Sequence, residues 1–112
     1  MNMIVAFLPP HRLDKVVLRL HKLPGFPGMT VTEAKGHGHE KLEDEHDRGA
    51  DLTDFTPTVR LEIVVGDDLV EPVVTTIHEA AHTGARGDGK VYVLPVTDAL
   101  RIKTGQRGQE AV

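Results

Sequence analysis

One order of signals occurs twice in this chain: an extended run, an amphipathic stripe of helical period, then a second extended run. Met3, Ile4, Val5, Ala6, Phe7 and Leu8 form a continuous apolar run closed by Pro9 and Pro10, which suits a strand buried on both faces. Leu13, Val16, Val17 and Leu20 follow at i, i+3, i+4 and i+7, one side of a helix, with Arg12, Lys15, Arg19 and Lys22 turned to water. Pro24-Gly25-Phe26-Pro27-Gly28 ends that helix, and residues 29–35 read as a second strand. The series restarts at Thr56-Pro57. Val59, Leu61, Ile63 and Val65 alternate with Thr58, Arg60, Glu62 and Val64, a period-two strand. Asp68, with Glu71 three residues on, reads as a capping box. It opens a helix whose stripe is Val70, Val73, Val74, Ile77, Ala80 and Ala81, with Pro72 in the first turn, where proline is tolerated. Residues 83–90 are a glycine-rich turn, 91–96 a fourth strand, and Arg101-Ile102-Lys103 a short extended tail. Two split βαβ halves make the α+β, ferredoxin-like βαββαβ sandwich, here one domain over residues 1–112.

Between the halves, residues 36–54 (GHGHEKLEDEHDRGADLTD) hold almost no apolar side chain. The stretch cannot bury itself, so it predicts a long exposed excursion, and such loops are usually functional. The sheet makes a second prediction. Two helices cover one face, yet the first strand offers Met3, Val5 and Phe7 to one side and Ile4, Ala6 and Leu8 to the other. The uncovered face needs a partner, most simply other copies of the chain.

Composition excludes several classes. A net charge of −4 and 4% aromatic residues leave neither the basic stripe nor the stacking rings of a nucleic-acid binder. The absence of cysteine removes thiolate metal sites and thiol catalysis and fits a cytoplasmic setting. The early apolar run is too short for a signal segment or a membrane span.

Gly84-Ala85-Arg86-Gly87-Asp88-Gly89-Lys90 has the spacing of a P-loop, but Val91 stands where the metal-binding hydroxyl belongs. A P-loop also runs from strand to helix, and this turn runs from helix to strand, so a Walker nucleotidase is rejected. The anion-binding capacity remains. Glycines let backbone amides converge, and Lys90 and Arg86 add charge. The alternative is a tight connection with surface cations. His37, His39 and His46 share the excursion with Glu40, Glu43, Asp44, Glu45 and Asp47, a reasonable first-row metal set without rigid spacing. A solvated acidic loop explains the same residues. His78 and His82, at i and i+4, are a further potential chelating pair or simple surface residues.

Thr83-Gly84 with Gly87-Asp88-Gly89-Lys90-Val91-Tyr92-Val93 resembles the C-terminal signature of the PII nitrogen-regulatory family. Gly28-Met29-Thr30-Val31-Thr32-Glu33, Gly36 with Gly38, Arg48-Gly49-Ala50, Asp54-Phe55, Leu13-Asp14 and Arg101-Ile102-Lys103-Thr104-Gly105 resemble that family in the same order over nearly the whole chain. The resemblance implies a homotrimeric signal-transduction regulator without enzymatic activity. Such a protein would bind ATP or ADP, with Mg²⁺ as a possible companion, in clefts between subunits, and would act on an enzyme, regulator or transporter through a T-loop at about 37–55. By position it places Gly87, Asp88, Gly89 and Lys90 at the phosphates, joined by Arg101 and Lys103 of a neighbour. Thr30, Glu62 and Val64 would surround adenine, with Gly38 near the phosphates. Glu43, Asp47, Arg48 and Leu52 would belong to the partner-binding loop.

Departures lie mostly in the loop. Leu52 occupies the place of a modifiable tyrosine, Glu40 that of a glutamine beside Mg²⁺ and 2-oxoglutarate, His39 that of an arginine, and Thr58 that of a lysine pairing the 2-oxoglutarate carboxylate. Losing that cation and gaining a carboxylate predicts weak dianion binding, by roughly the 3–5 kcal/mol of a broken buried charge pair. Lys103 stands where arginine is usual and keeps charge without the bidentate fork. A second reading is a trimeric metal-responsive protein using the His-rich loop, linked through the Pro24–Gly28 turn to heavy-metal efflux.

Overall fold

The computed structural model describes residues 1–37 and 55–112. Most of the excursion, including Gly38, His39, Glu40, Glu43, His46, Asp47, Arg48 and Leu52, lies outside the described residues. Strands β1 (Asn2–Leu8), β2 (Thr30–Gly36), β3 (Thr56–Val65) and β4 (Lys90–Pro95) form one antiparallel sheet in the order β2-β3-β1-β4. Helices α1 (Leu13–His21) and α2 (Val70–Ala81) connect them. This is the ferredoxin-like order the sequence predicts.

The pleat sorts side chains by parity. Ile4, Ala6 and Leu8 of β1 and Val59, Leu61, Ile63 and Val65 of β3 are buried with Val16 and Leu20 of α1 and Val73, Ile77, Ala80 and Ala81 of α2. The register puts Met3, Val5 and Phe7 on the opposite face, with Val64, Glu62 and Arg60 on one side and Leu94, Tyr92 and Lys90 on the other. There Tyr92 and Leu94 are half exposed. Phe7 meets Tyr92 edge-on at 6.4 Å, and the Arg60 guanidinium lies 5.5 Å from the Phe7 ring centre. The apolar open face predicted from the first strand is present.

The helices are tied at their ends. Arg12 donates to the Ala80 carbonyl at 2.7 Å, capping the C-terminal end of α2, where a cation is favoured. Arg19 pairs with Glu79 at 3.1 Å across the exposed seam.

Two local expectations are corrected. The capping box at Asp68 and Glu71 does not form. The chain enters α2 through a 3-10 turn, Asp67–Leu69, closed by Leu69 N–H to the Gly66 carbonyl at 3.1 Å, with no side-chain cap at Gly66 or Leu69. Asp68 instead folds back against Gly66. Its neighbour Asp67 accepts from the Met1 amine at 3.1 Å and Asn2 Nδ2 at 2.7 Å, so a tertiary contact overrides the local pattern. The tail around Arg101–Lys103 is a turn rather than an extended segment. Leu100 bridges Arg107, Gly105 N–H donates to the Arg101 carbonyl at 2.7 Å, and Gly105 takes φ 76. Asp98 and Arg107 are hydrogen-bonded across the hairpin's base.

Candidate functional site

The glycine turn is built around one carboxylate. Asp88 accepts from the Thr83 hydroxyl, from Thr83 N–H at 2.8 Å and from Gly84 N–H at 2.9 Å, while the Ala85 amide reaches Thr83 Oγ1 at 3.1 Å. The Thr83 hydroxyl foremost, then its amide, with Gly84 and the His82 imidazole assisting, holds the Asp88 carboxyl at about 2, below its ordinary 3.8. The stretch around Gly87 and Gly89 is not part of this internal set. Gly84, Gly87 and Gly89 all have positive φ, at 84°, 82° and 103°. Gly89 is also pressed against β1: a Cβ there would stand 1.8 Å from the Phe7 carbonyl oxygen.

Asp88 therefore does something that the phosphate-binding role implied by the resemblance does not suggest. An exposed carboxylate would repel a phosphate, but this one is turned onto the loop's own donors and shapes the turn. Its pKa is depressed, so its anchoring is fully present above pH 3.8 and is lost as pH falls toward about 2. Amide exchange at Thr83 and Gly84 is expected to accelerate through that window, and Asp88→Asn should abolish the step. Exchange rates that stay flat between those limits would contradict the anchoring role.

The sequence-predicted residues fall into three groups. Gly87, Asp88, Gly89 and Lys90 share the turn at the start of β4. Thr30 and Glu62 are cross-strand partners on the open face of β2 and β3, with Val64 two residues beyond Glu62 on that face. Glu62 is held by Arg60 at 2.9 Å. Arg101 and Lys103 lie in the hairpin after β4, at the sheet end where Val96 N–H meets the Met1 carbonyl and Gln109 approaches Gly66. A six-residue strand separates them from the turn, about 20 Å of extended chain. The β2 and β4 edges are about 14 Å apart across the sheet. One chain thus does not gather all three groups at a point.

Thr58 spends its hydroxyl on the Leu8 carbonyl at 2.8 Å. It borders a groove with Pro10, Lys35, Phe55 and Pro57 at the base of the excursion. Of the histidines proposed for metal in the excursion, only His37 is described, and its ring meets Phe55 at 5.7 Å. Sequence reasoning passed over Thr83 as an anchor and Arg60 as the open-face cation. The signals were a hydroxyl five residues before an aspartate in a glycine turn, and an arginine on the same strand face as Glu62, two residues away.

Fold and turn together define the class: a ferredoxin-like α+β domain in which the second helix passes to an edge strand through a glycine-rich turn. The family described as nitrogen regulatory protein P-II matches residues 1–106. The nitrogen regulatory protein P-II of Azospirillum brasilense is 47% identical, with 100% of both chains covered. Nitrogen regulatory protein P-II 1 of Escherichia coli is 45% identical, again over 100% of each. The crystal structure of Arabidopsis thaliana PII bound to citrate superposes with a TM-score of 0.80 at 40% identity, covering 99% of this chain and 91% of that one. The chain belongs to the nitrogen regulatory protein P-II family of signal-transduction regulators. No helix among the described residues is long and apolar enough to cross a membrane.

Proposed function

We propose that this chain is a cytoplasmic regulator that binds ADP or ATP in clefts between the subunits of a homotrimer and controls a partner protein through its T-loop. The observation that carries this reading is the turn at residues 83–90. Asp88 engages the Thr83 and Gly84 amides, and the positive-φ glycines at 87 and 89, with Lys90 beside them, would form the part of the turn that receives an anion. The absence of a Cβ at Gly89 lets that part press directly on β1. The distances between the three residue groups favour an intersubunit cleft. Arg101 and Lys103 of one subunit would meet the turn of the next, while Thr30, Glu62 and Val64 supply an edge for the base. Mg²⁺ would enter with the nucleotide's phosphates. The engaged Thr58 hydroxyl favours a role in which 2-oxoglutarate is bound weakly. The family is one of regulators, which supports control by protein contact rather than turnover. The comparisons lend no support to the metal-responsive alternative based on His37, His39 and His46.

Calorimetry tests the nucleotide site. Saturable ATP and ADP binding is expected, weakened about 10- to 100-fold in Lys90→Ala, the loss of a charge-assisted hydrogen bond of about 1.5–3 kcal/mol. No saturable binding at millimolar nucleotide would sink the proposal.

A further inference from the structure

We propose a divalent transition-metal site at the end of α2, formed by His78 and His82 and distinct from the excursion. His82 is the C-cap of α2: its amide donates to the His78 carbonyl at 2.9 Å and its φ of −63° is still helical, so its side chain leaves one turn along from that of His78. Their ring centres are 5.2 Å apart. Two imidazoles bound to one tetrahedral ion, at about 2.0 Å per Zn–N bond, would place their ring centres roughly 5 Å apart. The pair has that spacing without rearrangement.

The surroundings select the donor atom. Asp88 Oδ2 faces His82 Nδ1 at 3.7 Å. The contact is longer than a hydrogen bond; a small closure would let Nδ1–H donate to Asp88, the usual outer-shell support for a histidine bound to metal through Nε2. A side chain at position 84 would contact the Cε1–Nε2 edge of His82 at 4.0 Å; glycine leaves that edge open. Both rings border a groove of about 330 Å³ between α2 and β4, with Asp88 and Lys90 also on its wall. Among the described residues no three His, Cys, Asp or Glu side chains are placed to hold an ion together. The site therefore takes two protein ligands, with water completing the shell. Imidazole donors suit Zn²⁺, Ni²⁺ and Cu²⁺ and disfavour Ca²⁺ and Mg²⁺.

The test uses the full chain, stripped with chelator and carrying His37→Ala, His39→Ala and His46→Ala so that the excursion contributes no imidazole. It is titrated with zinc chloride or nickel chloride alone, by calorimetry and by NMR of the imidazole nitrogens. One ion per chain is expected, with Nε2 of His82 shifting on binding. His78→Ala and His82→Ala should each weaken binding at least as much as the loss of an outer-shell partner, about 10- to 100-fold, and Asp88→Asn about tenfold. Both histidines are exposed, and circular dichroism of the variants checks that the fold is kept. Binding that survives unchanged in the two histidine variants, or no binding in the starting chain, overturns the proposal.

Discussion

Gly89→Ala is expected to lower the melting temperature by about 8 °C or more, while Gly87→Ala lowers it by about half as much. Both glycines have positive φ, 82° at Gly87 and 103° at Gly89, so alanine strains the backbone at either position, at about 1–3 kcal/mol. Only Gly89 adds a collision. Its Cβ would lie 1.8 Å from the Phe7 carbonyl oxygen, whereas nothing stands within 4 Å of a Cβ at Gly87. The oxygen has little freedom to retreat, because Phe7 pairs with Arg60 on one side and Lys90 on the other. Relief must come from moving the turn, with an overpacking cost of about 1–3 kcal/mol. In a domain of this size each kcal/mol is worth about 4 °C or more. Thermal unfolding followed by circular dichroism decides the matter, and equal losses in the two variants would show that the contact with β1 does not matter. Under the proposed function, moving that turn should also abolish nucleotide binding.

The contrast between these two glycines marks how far the sequence could be read. Alternation at Val59, Leu61, Ile63 and Val65 and the stripe at Val73, Ile77 and Ala80 identify elements because burial follows the period of the backbone itself. The observed core takes up those same residues. The glycine-rich segment announces a turn, but not that Gly89 touches Phe7, eighty-two positions earlier in the chain. Nor does it show that Asp88 faces inward. Asp68 and Glu71 have the spacing of a capping box, and the structure uses neighbouring Asp67 to hold the Met1 amine instead. Short polar motifs have several partners of similar energy, and tertiary approach chooses among them. The candidate site was legible as residue types along the chain. It was not legible as three groups spread over opposite edges and ends of one sheet, because strand order sets those separations.

Leu94→Asp makes the proposed assembly the object of an equally large effect: the sedimenting species is expected to fall from three chains to one. Leu94 shares the open face with Met3, its register partner on β1, and is 41% exposed in the single chain. A carboxylate there stays hydrated in a monomer and leaves the helix-covered core untouched. In a trimer joined through this face each protomer would carry that charge into apolar surroundings, at several kcal/mol per ion even after relaxation. Leu94→Met, similar in volume and uncharged, should keep the assembly. Nucleotide binding should disappear with the trimer, because the proposed cleft borrows Arg101 and Lys103 from a neighbour. The two readouts separate the two parts of the proposal. A Leu94→Asp protein that sediments as three chains removes the open face as the joining surface. One that is monomeric yet binds ATP with undiminished affinity removes the neighbour from the site.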